Sequence, residues 1–159
     1  MRRLSLGWAG LALVLSGVVV LALGVAVGPA SAPTSRGGNG TDVGPGAPGF
    51  VAGTVASPRT VRIIAGPGYA FQPSIVTVAR GETSAFLVTT MGSTVHEFMV
   101  GPADAVAADQ AGTPEIADIA MMASKSLSYT FDGPGPFAFG CHAEGHYEAG
   151  MRGDVIVVG

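Results

Sequence analysis

The chain has 159 residues, of which 48% are hydrophobic and only 12% are charged, and its formal net charge is -3. This length predicts a single domain, and the presence of one cysteine excludes a fold held together by internal disulfides. The charge lacks the basic excess that a nucleic-acid-binding surface requires, so we exclude nucleic acid as a partner.

The N-terminal segment, residues 1–27, predicts export from the cytoplasm. Arg2 and Arg3 precede an uncharged run at residues 4–27, and a spanning helix needs about 20 apolar residues. This length favours an uncleaved transmembrane anchor, whereas the Ala-x-Ala pattern at Ala30 and Ala32 favours a cleaved signal peptide. Both alternatives keep the arginines inside and place the remainder outside the cytoplasm, in the periplasm or at the cell surface.

Residues 28–50 are rich in Gly, Pro, Ser and Thr and show no apolar period, which predicts a flexible linker. Residues 51–159 form the predicted domain. It carries five basic and ten acidic side chains, a net charge near -5 that is compatible with a basic protein partner.

The domain has a mostly period-two pattern and is predicted to be all-β. We predict strands at residues 60–65, 74–79, 83–90, 94–100, 126–131, 137–141 and 154–158, separated by Gly- and Pro-containing turns. Short strands at this density indicate a sandwich or a small barrel. Residues 102–112 read as a short crossover helix, because Pro102 suits a first turn and Gly112 suits a helix end.

The strand alternation places two chemically important side chains on inward faces. In "TVHEFMV", His96 lies on the same face as Phe98 and Val100. In "PFAFGC", Cys141 lies on the same face as Phe139. Two potential metal ligands that are distant in sequence are therefore both expected to point into the core.

The segment "GCHAEGHYEAGMRG" contains Cys141, His146 and Met151, each separated from the next by four residues. Together with His96 they offer a thiolate, two imidazoles and a thioether, a set that suits copper in a trigonal site with a weak axial methionine. Zinc is the rival metal, but thioether is not among its usual ligands. A cysteine nucleophile paired with histidine, or a metal-free β-domain, are further alternatives that do not account for Met151.

The same residues resemble those of the cupredoxins, the type-1 blue copper proteins. The Cys-x4-His-x4-Met spacing is similar to that of the rusticyanin and auracyanin members, and "GHYEAGMRGDVIVV" and "HEF" resemble small bacterial copper-resistance cupredoxins. The resemblance implies a Greek-key β-barrel or sandwich of about seven or eight strands. It also implies one copper ion, with His96, Cys141 and His146 as equatorial ligands, Met151 as axial ligand, and His146 partly exposed for electron transfer.

Two positions depart from the family pattern. Glu97 follows the first histidine, where many cupredoxins have an asparagine that bonds to the cysteine loop. His142 follows the cysteine, as in multicopper oxidases, but three histidines are too few for a trinuclear centre and one cysteine is too few for a binuclear one. We therefore predict no enzymatic activity and interpret His142 as a surface residue.

The sequence is compatible with two functions. The first is an electron carrier that exchanges single electrons with a cytochrome or a terminal oxidase. The second is a copper-resistance protein that stores, delivers or detoxifies copper with other copper-handling proteins. The remaining methionines of the domain, Met91, Met99, Met121 and Met122, are interpreted as apolar packing rather than as an additional copper site.

Overall fold

The computed structural model of the chain describes residues 43–159. The predicted N-terminal hydrophobic helix, the signal peptide or anchor at 1–27, and residues 28–42 of the linker lie outside the described residues. Across the described part, no helix has the length and apolar character needed to cross a membrane.

The described chain is a two-sheet β-structure, which confirms the predicted all-β class. The elements are β1 (Arg59–Gly66), β2 (Ala70–Gln72), β3 (Ile75–Ala79), β4 (Thr83–Thr90), β5 (His96–Pro102), α1 (Ala103–Ala107), β6 (Glu115–Ile119), β7 (Ser124–Thr130), β8 (Phe137–Gly140) and β9 (Arg152–Val158). One sheet has the order β2-β1-β4-β7 and the other has the order β3-β9-β8-β5-β6.

The hydrophobic core lies between the two sheets and follows from period-two burial. On β4, buried and half-buried residues alternate along most of the strand, as expected when one face of a sheet meets the core. Phe86, Phe98 and Phe139 are fully buried, and their ring centroids are 5.2 to 6.4 Å apart. Such aromatic clusters add interaction energy to the area they bury, so they hold the strands on which the site residues lie.

Strands β2 and β6 are absent from the sequence prediction, and the predicted helix at 102–112 is shorter in the structure. Only Phe71 is buried in the three residues of β2. In β6, Ile116 and Ile119 are both buried although they are three positions apart. A strict period of two would place them on opposite faces, but Asp118 between them adopts a left-handed conformation with φ 51°. Neither strand therefore shows the alternation on which the prediction relied. Helix α1 ends after one turn, and Asp109 (φ 48°) follows soon after its end.

The chain before β1 packs against the sandwich as far back as residue 43. Arg59 connects this segment to β3: its guanidinium lies 5.4 Å from the ring centroid of Phe50 and donates to the carbonyl oxygens of Val43 (3.4 Å) and, on β3, of Thr77 (3.1 Å). The backbone N–H of Thr83 also donates to the carbonyl of Gly53 at 3.0 Å. We call residues 43–58 the N-terminal strap.

Candidate metal centre

His96 and Cys141 occupy buried positions at the same end of neighbouring strands. His96 is the first residue of β5, and Cys141 directly follows β8, which pairs with β5. Their exposed fractions are 1% and 0%. The inward orientation expected from strand alternation is therefore found for both side chains.

The third side chain of the cluster comes from the loop between β8 and β9. The Nδ1 atom of His146 lies 3.3 Å from the Sγ atom of Cys141, and the Nδ1 atom of His96 lies 4.0 Å from the same sulfur. One donor atom from each of His96, Cys141 and His146 lies within 4.8 Å of the others, and all three residues are buried. This separation is suited to three donors arranged around a single metal ion.

Backbone hydrogen bonds within the β8–β9 loop fix its shape. The N–H of Cys141 donates to the carbonyl of Met151 (3.1 Å), and the N–H of Met151 donates to the carbonyl of His146 (3.0 Å). Gly145 and Gly150 adopt φ values of 78° and 99°, which side-chain-bearing residues rarely adopt. The loop thus turns back so that its cysteine, histidine and methionine belong to one hydrogen-bonded unit.

Met151 lies opposite Cys141 and is completely buried. The β8–β9 register pairs Gly140 with Arg152, so the next pair outward is Cys141 with Met151. Facing residues on antiparallel strands have Cβ atoms about 4.5–5.5 Å apart. With 0% of its surface exposed, the thioether is held in the same buried region as the thiol.

Burial controls the protonation of the donor groups. Burial raises the pKa of the Cys141 thiol, although hydrogen bonds from the backbone N–H groups of Glu97 and Ala143 oppose the effect. Burial, followed by the proximity of His146, lowers the pKa of His96. His96 therefore presents a neutral imidazole, while the thiol must lose a proton when a cation binds.

The donor set fits copper better than zinc. It combines two imidazoles with one soft thiol and an adjacent thioether, which matches the ligand types of blue copper sites. A closed structural zinc site would instead use further cysteine or histidine ligands, and the clustered group in the described residues contains only His96, Cys141 and His146.

Glu97 occupies the position where the family pattern has an asparagine, and the backbone of Glu97 contacts the cysteine. The N–H of Glu97 donates to Cys141 Sγ at 3.3 Å. Burial and the nearby carboxylates of Glu115, Asp118 and Asp109 raise the pKa of the Glu97 side chain. The strand backbone itself therefore connects the first histidine strand to the cysteine loop.

His146 is more buried than the sequence resemblance implies. Only 6% of its surface is exposed, because the Tyr69 ring packs on it with centroids 4.5 Å apart. Tyr69 itself is 44% exposed and has a φ of 54°. Nothing in the sequence predicts this contact, since a tyrosine in a Gly- and Pro-rich turn gives no signal for packing on a distant histidine.

His142 lies outside the cluster, as expected of a surface residue, but it is not fully exposed. It is half-buried, its ring stacks on Tyr147 with centroids 4.5 Å apart, and its Nε2 lies 2.8 Å from the carbonyl oxygen of Val106. The guanidinium of Arg152, the first residue of β9, lies 5.7 Å from the ring centroid of Tyr147 in the loop. The contact between His142 and Val106 attaches the ligand loop to α1, in which Val106 lies.

The packing interpretation holds for one of the four additional methionines. Met99 is only 2% exposed, because its side of β5 is covered. Met91, Met121 and Met122 are 41%, 56% and 66% exposed, so for them the packing interpretation is wrong. Met121 and Met122 lie in the turn before β7, and Met91 directly follows β4.

Comparison with known proteins identifies a family and one curated relative. The family model described as "Copper binding proteins, plastocyanin/azurin family" matches residues 60–158. The chain is 35% identical over 109 residues to the copper-resistant cuproprotein CopI of Rubrivivax gelatinosus. This match covers 62% of the chain and spans 66% of the length of that relative.

Solved structures show the same fold. A dithionite-reduced auracyanin from Roseiflexus castenholzii has a TM-score of 0.54 at 24% identity, covering 63% of this chain and 97% of that one. Auracyanin A of Chloroflexus aurantiacus, a "blue" copper protein, has a TM-score of 0.54 at 21% identity, covering 64% of this chain and all of that one. An azurin from Methylomonas sp. strain J reaches 0.51 at 13% identity, covering 64% and 98%.

Proposed function

Because the chain belongs to the plastocyanin/azurin family of copper-binding proteins, we propose that it carries single electrons outside the cytoplasm. His96, Cys141 and His146 act as the equatorial ligands of one copper ion, and Met151 acts as the axial ligand. The observation that supports this assignment best is the buried cluster of His96, Cys141 and His146 within 4.8 Å. Bound copper supplies a couple between Cu(I) and Cu(II) that accepts and releases one electron.

The residues around the cluster serve this role by holding the donors still. A ligand set that does not rearrange between two oxidation states lowers the cost of electron transfer. The Glu97 N–H on the Cys141 sulfur and the backbone bonds of the ligand loop restrict such movement. Tyr69 and the buried aromatic residues exclude water from the donors. A hydrophobic shell that limits solvent access influences the reduction potential of a metal centre.

The first experiment removes the thiolate. We expect the full chain, after addition of Cu(II), to develop the intense blue absorption of a copper–thiolate bond. Cys141→Ser should lose this absorption, because a hydroxyl cannot replace the sulfur donor. Cys141 is the single cysteine of the chain, so a variant that colours as strongly as the wild type would contradict the assigned site.

The second experiment tests Met151 by two substitutions with opposite expected effects. Met151→Gln offers a harder oxygen donor that favours Cu(II), so the reduction potential should fall. Met151→Leu keeps the apolar volume of the buried side chain and removes the donor, so the potential should rise. Voltammetry measures both values. Unchanged potentials in both variants would show that Met151 is not an axial ligand.

Copper resistance is the second candidate function, and it is supported by the similarity to CopI. The two functions differ in measurable ways. Fast electron exchange with a cytochrome and a respiratory defect on deletion support the electron carrier. Ready release of copper, together with a deletion strain that is copper-sensitive but respires normally, supports copper storage, delivery or detoxification.

The proposed location is outside the cytoplasm, attached to the membrane or secreted. Its support is the pair of arginines and the uncharged run at residues 4–27, which have the features of an exported N-terminus. Partners in this location are a cytochrome, a terminal oxidase or copper-handling proteins. Cell fractionation and N-terminal sequencing of the purified protein distinguish the anchor from the cleaved signal peptide.

A further inference from the structure

Three exposed methionines lie on two connections between strands that the buried centre does not use. Met91 follows β4, whereas Met121 and Met122 occupy the turn between β6 and β7. Burying a methionine side chain is favourable by about 1.5–3 kcal/mol. These three side chains are 41%, 56% and 66% exposed and gain only part of this stabilisation, so core packing does not account for them.

The pairing of β4 with β7 brings the end of β4, before Met91, next to the start of β7, after Met122. Thr89 pairs with Ser124, and the N–H of Thr90 donates to the carbonyl of Ala123 at 2.9 Å. Met91 follows Thr90 and Met122 precedes Ala123, so both methionines lie one position beyond this bonded pair. Methionine is unbranched and has three rotatable side-chain bonds, so its sulfur can adapt its position to an ion shared with neighbouring methionines.

The conformation of the β6–β7 turn gives no reason for its two methionines. The N–H of Ala123 donates to the carbonyl of Ala120 at 3.0 Å, which leaves Met121 and Met122 at the two central positions. Met122 has a φ of 59°, in the left-handed region that favours glycine and asparagine. A glycine would fit this backbone conformation better than a methionine. The feature that Met122 adds at this position is therefore its thioether.

The turn also lies beside the strand that supplies a buried donor. Ile119, at the end of β6, pairs with His96 at the start of β5. Met121 therefore follows the cross-strand partner of His96 by two residues. Met91 lies five residues before His96 on the connection from β4 to β5.

We propose that Met91, Met121 and Met122 form a second metal site, exposed on the surface and specific for Cu(I). Thioethers are soft donors that bind Cu(I), and Cu(I) accepts low coordination numbers. Cu(II) and Zn²⁺ prefer nitrogen, oxygen or thiolate donors and are not expected to bind here. This site is additional to the buried centre and would place a copper ion at the same end of the molecule.

The test measures Cu(I) uptake beyond the first ion. The full chain is loaded with one copper, reduced without oxygen, and titrated with Cu(I) in competition with a chromophoric Cu(I) chelator. The wild type should take up one further Cu(I). The triple variant Met91→Leu, Met121→Leu, Met122→Leu should not, because leucine keeps the apolar volume and removes the sulfur.

Met99→Leu is the matched control, since it removes a buried thioether and should leave the additional uptake unchanged. Methionine methyl NMR with Ag(I) provides a second measurement: the signals of Met91, Met121 and Met122 should shift while that of Met99 stays. Equal additional uptake by wild type and triple variant, or no additional uptake by the wild type, would overturn the proposal. Failure of the buried centre is recognised separately, because the first copper would then give no blue colour.

Discussion

Single residues decide how closely side chains and backbone pack along neighbouring strands near the ligand loop, and Gly153 on β9 is the clearest case, since it pairs with Phe139 on β8. A Cβ atom at this position would overlap the ring of Phe139 and the carbonyl oxygen of Ser74. Phe139 lies two residues before Cys141, and Gly153 lies two residues after Met151. The absence of a side chain at 153 therefore allows β8 and β9 to present both sulfur-bearing residues to the same site.

Gly153→Ala should consequently destabilise the fold and disturb the site. Inserting a methyl group into a packed interior typically costs about 1–3 kcal/mol, and urea denaturation of the copper-free protein measures the loss. The control is Gly66→Ala, where the nearest atom to the new Cβ is the Ala70 carbonyl oxygen at 3.7 Å. Equal stability of the two variants would contradict the close approach at Gly153.

Among the larger elements, the N-terminal strap depends on one buried carboxylate. Glu82 is 1% exposed and forms an ion pair with the Nε of Arg59. It also accepts hydrogen bonds from the Ala79 N–H (2.9 Å) and the Ser84 hydroxyl (2.8 Å). Because Arg59 reaches Val43 and Phe50, the β3–β4 turn is coupled to the strap through this pair.

Glu82→Gln should weaken both the domain and the attachment of the strap. Removing one partner of a buried ion pair typically costs about 3–5 kcal/mol. Denaturation should show this loss, and limited proteolysis should cut residues 43–58 faster than in the wild type. Glu115→Gln is the control because Glu115 is exposed on the edge strand β6. A Glu82 variant as stable as the control would show that the ion pair does not hold the strap.

At the scale of the whole molecule, the described part of the chain is acidic. It contains five basic and ten acidic residues, so its formal charge is 5 − 10 = −5. A field of this sign attracts positively charged proteins and is screened by salt over about 10 Å at 0.1 M. The overall charge therefore favours an encounter with basic proteins over one with acidic proteins before any specific contact is made.

Electron exchange with a basic cytochrome should be faster at low salt and slow down as ionic strength rises. Stopped-flow measurements of the blue absorption follow this reaction. An acidic cytochrome of similar potential is the matched comparison, and its rate should increase with ionic strength because like charges are screened. Rates that do not respond to salt in either case would show that the overall charge does not steer the encounter.

Much of the fold was accessible from the sequence because the strands that face one core repeat every two residues. The strands at β1, β3, β4, β5, β7, β8 and β9 all overlap predicted segments, although their ends differ by up to two residues. Strand β6 escaped detection because the left-handed Asp118 breaks its alternation, and β2 because it has only three residues. The cluster of His96, Cys141 and His146 could be predicted because its donors have distinctive chemistry and spacing.

The sequence by itself determined which side chains can bind a soft redox metal, because thiol, imidazole and thioether chemistry belongs to the residue types. It also determined the all-β class, through the alternation of apolar residues. Tertiary structure alone decided that His96 lies 4.0 Å from the Cys141 sulfur, that Tyr69 covers His146, and that the Thr90 N–H bonds to the carbonyl of Ala123 beside the exposed methionines. These relations join residues far apart in the chain, and they depend on strand register and loop closure, which local patterns do not encode.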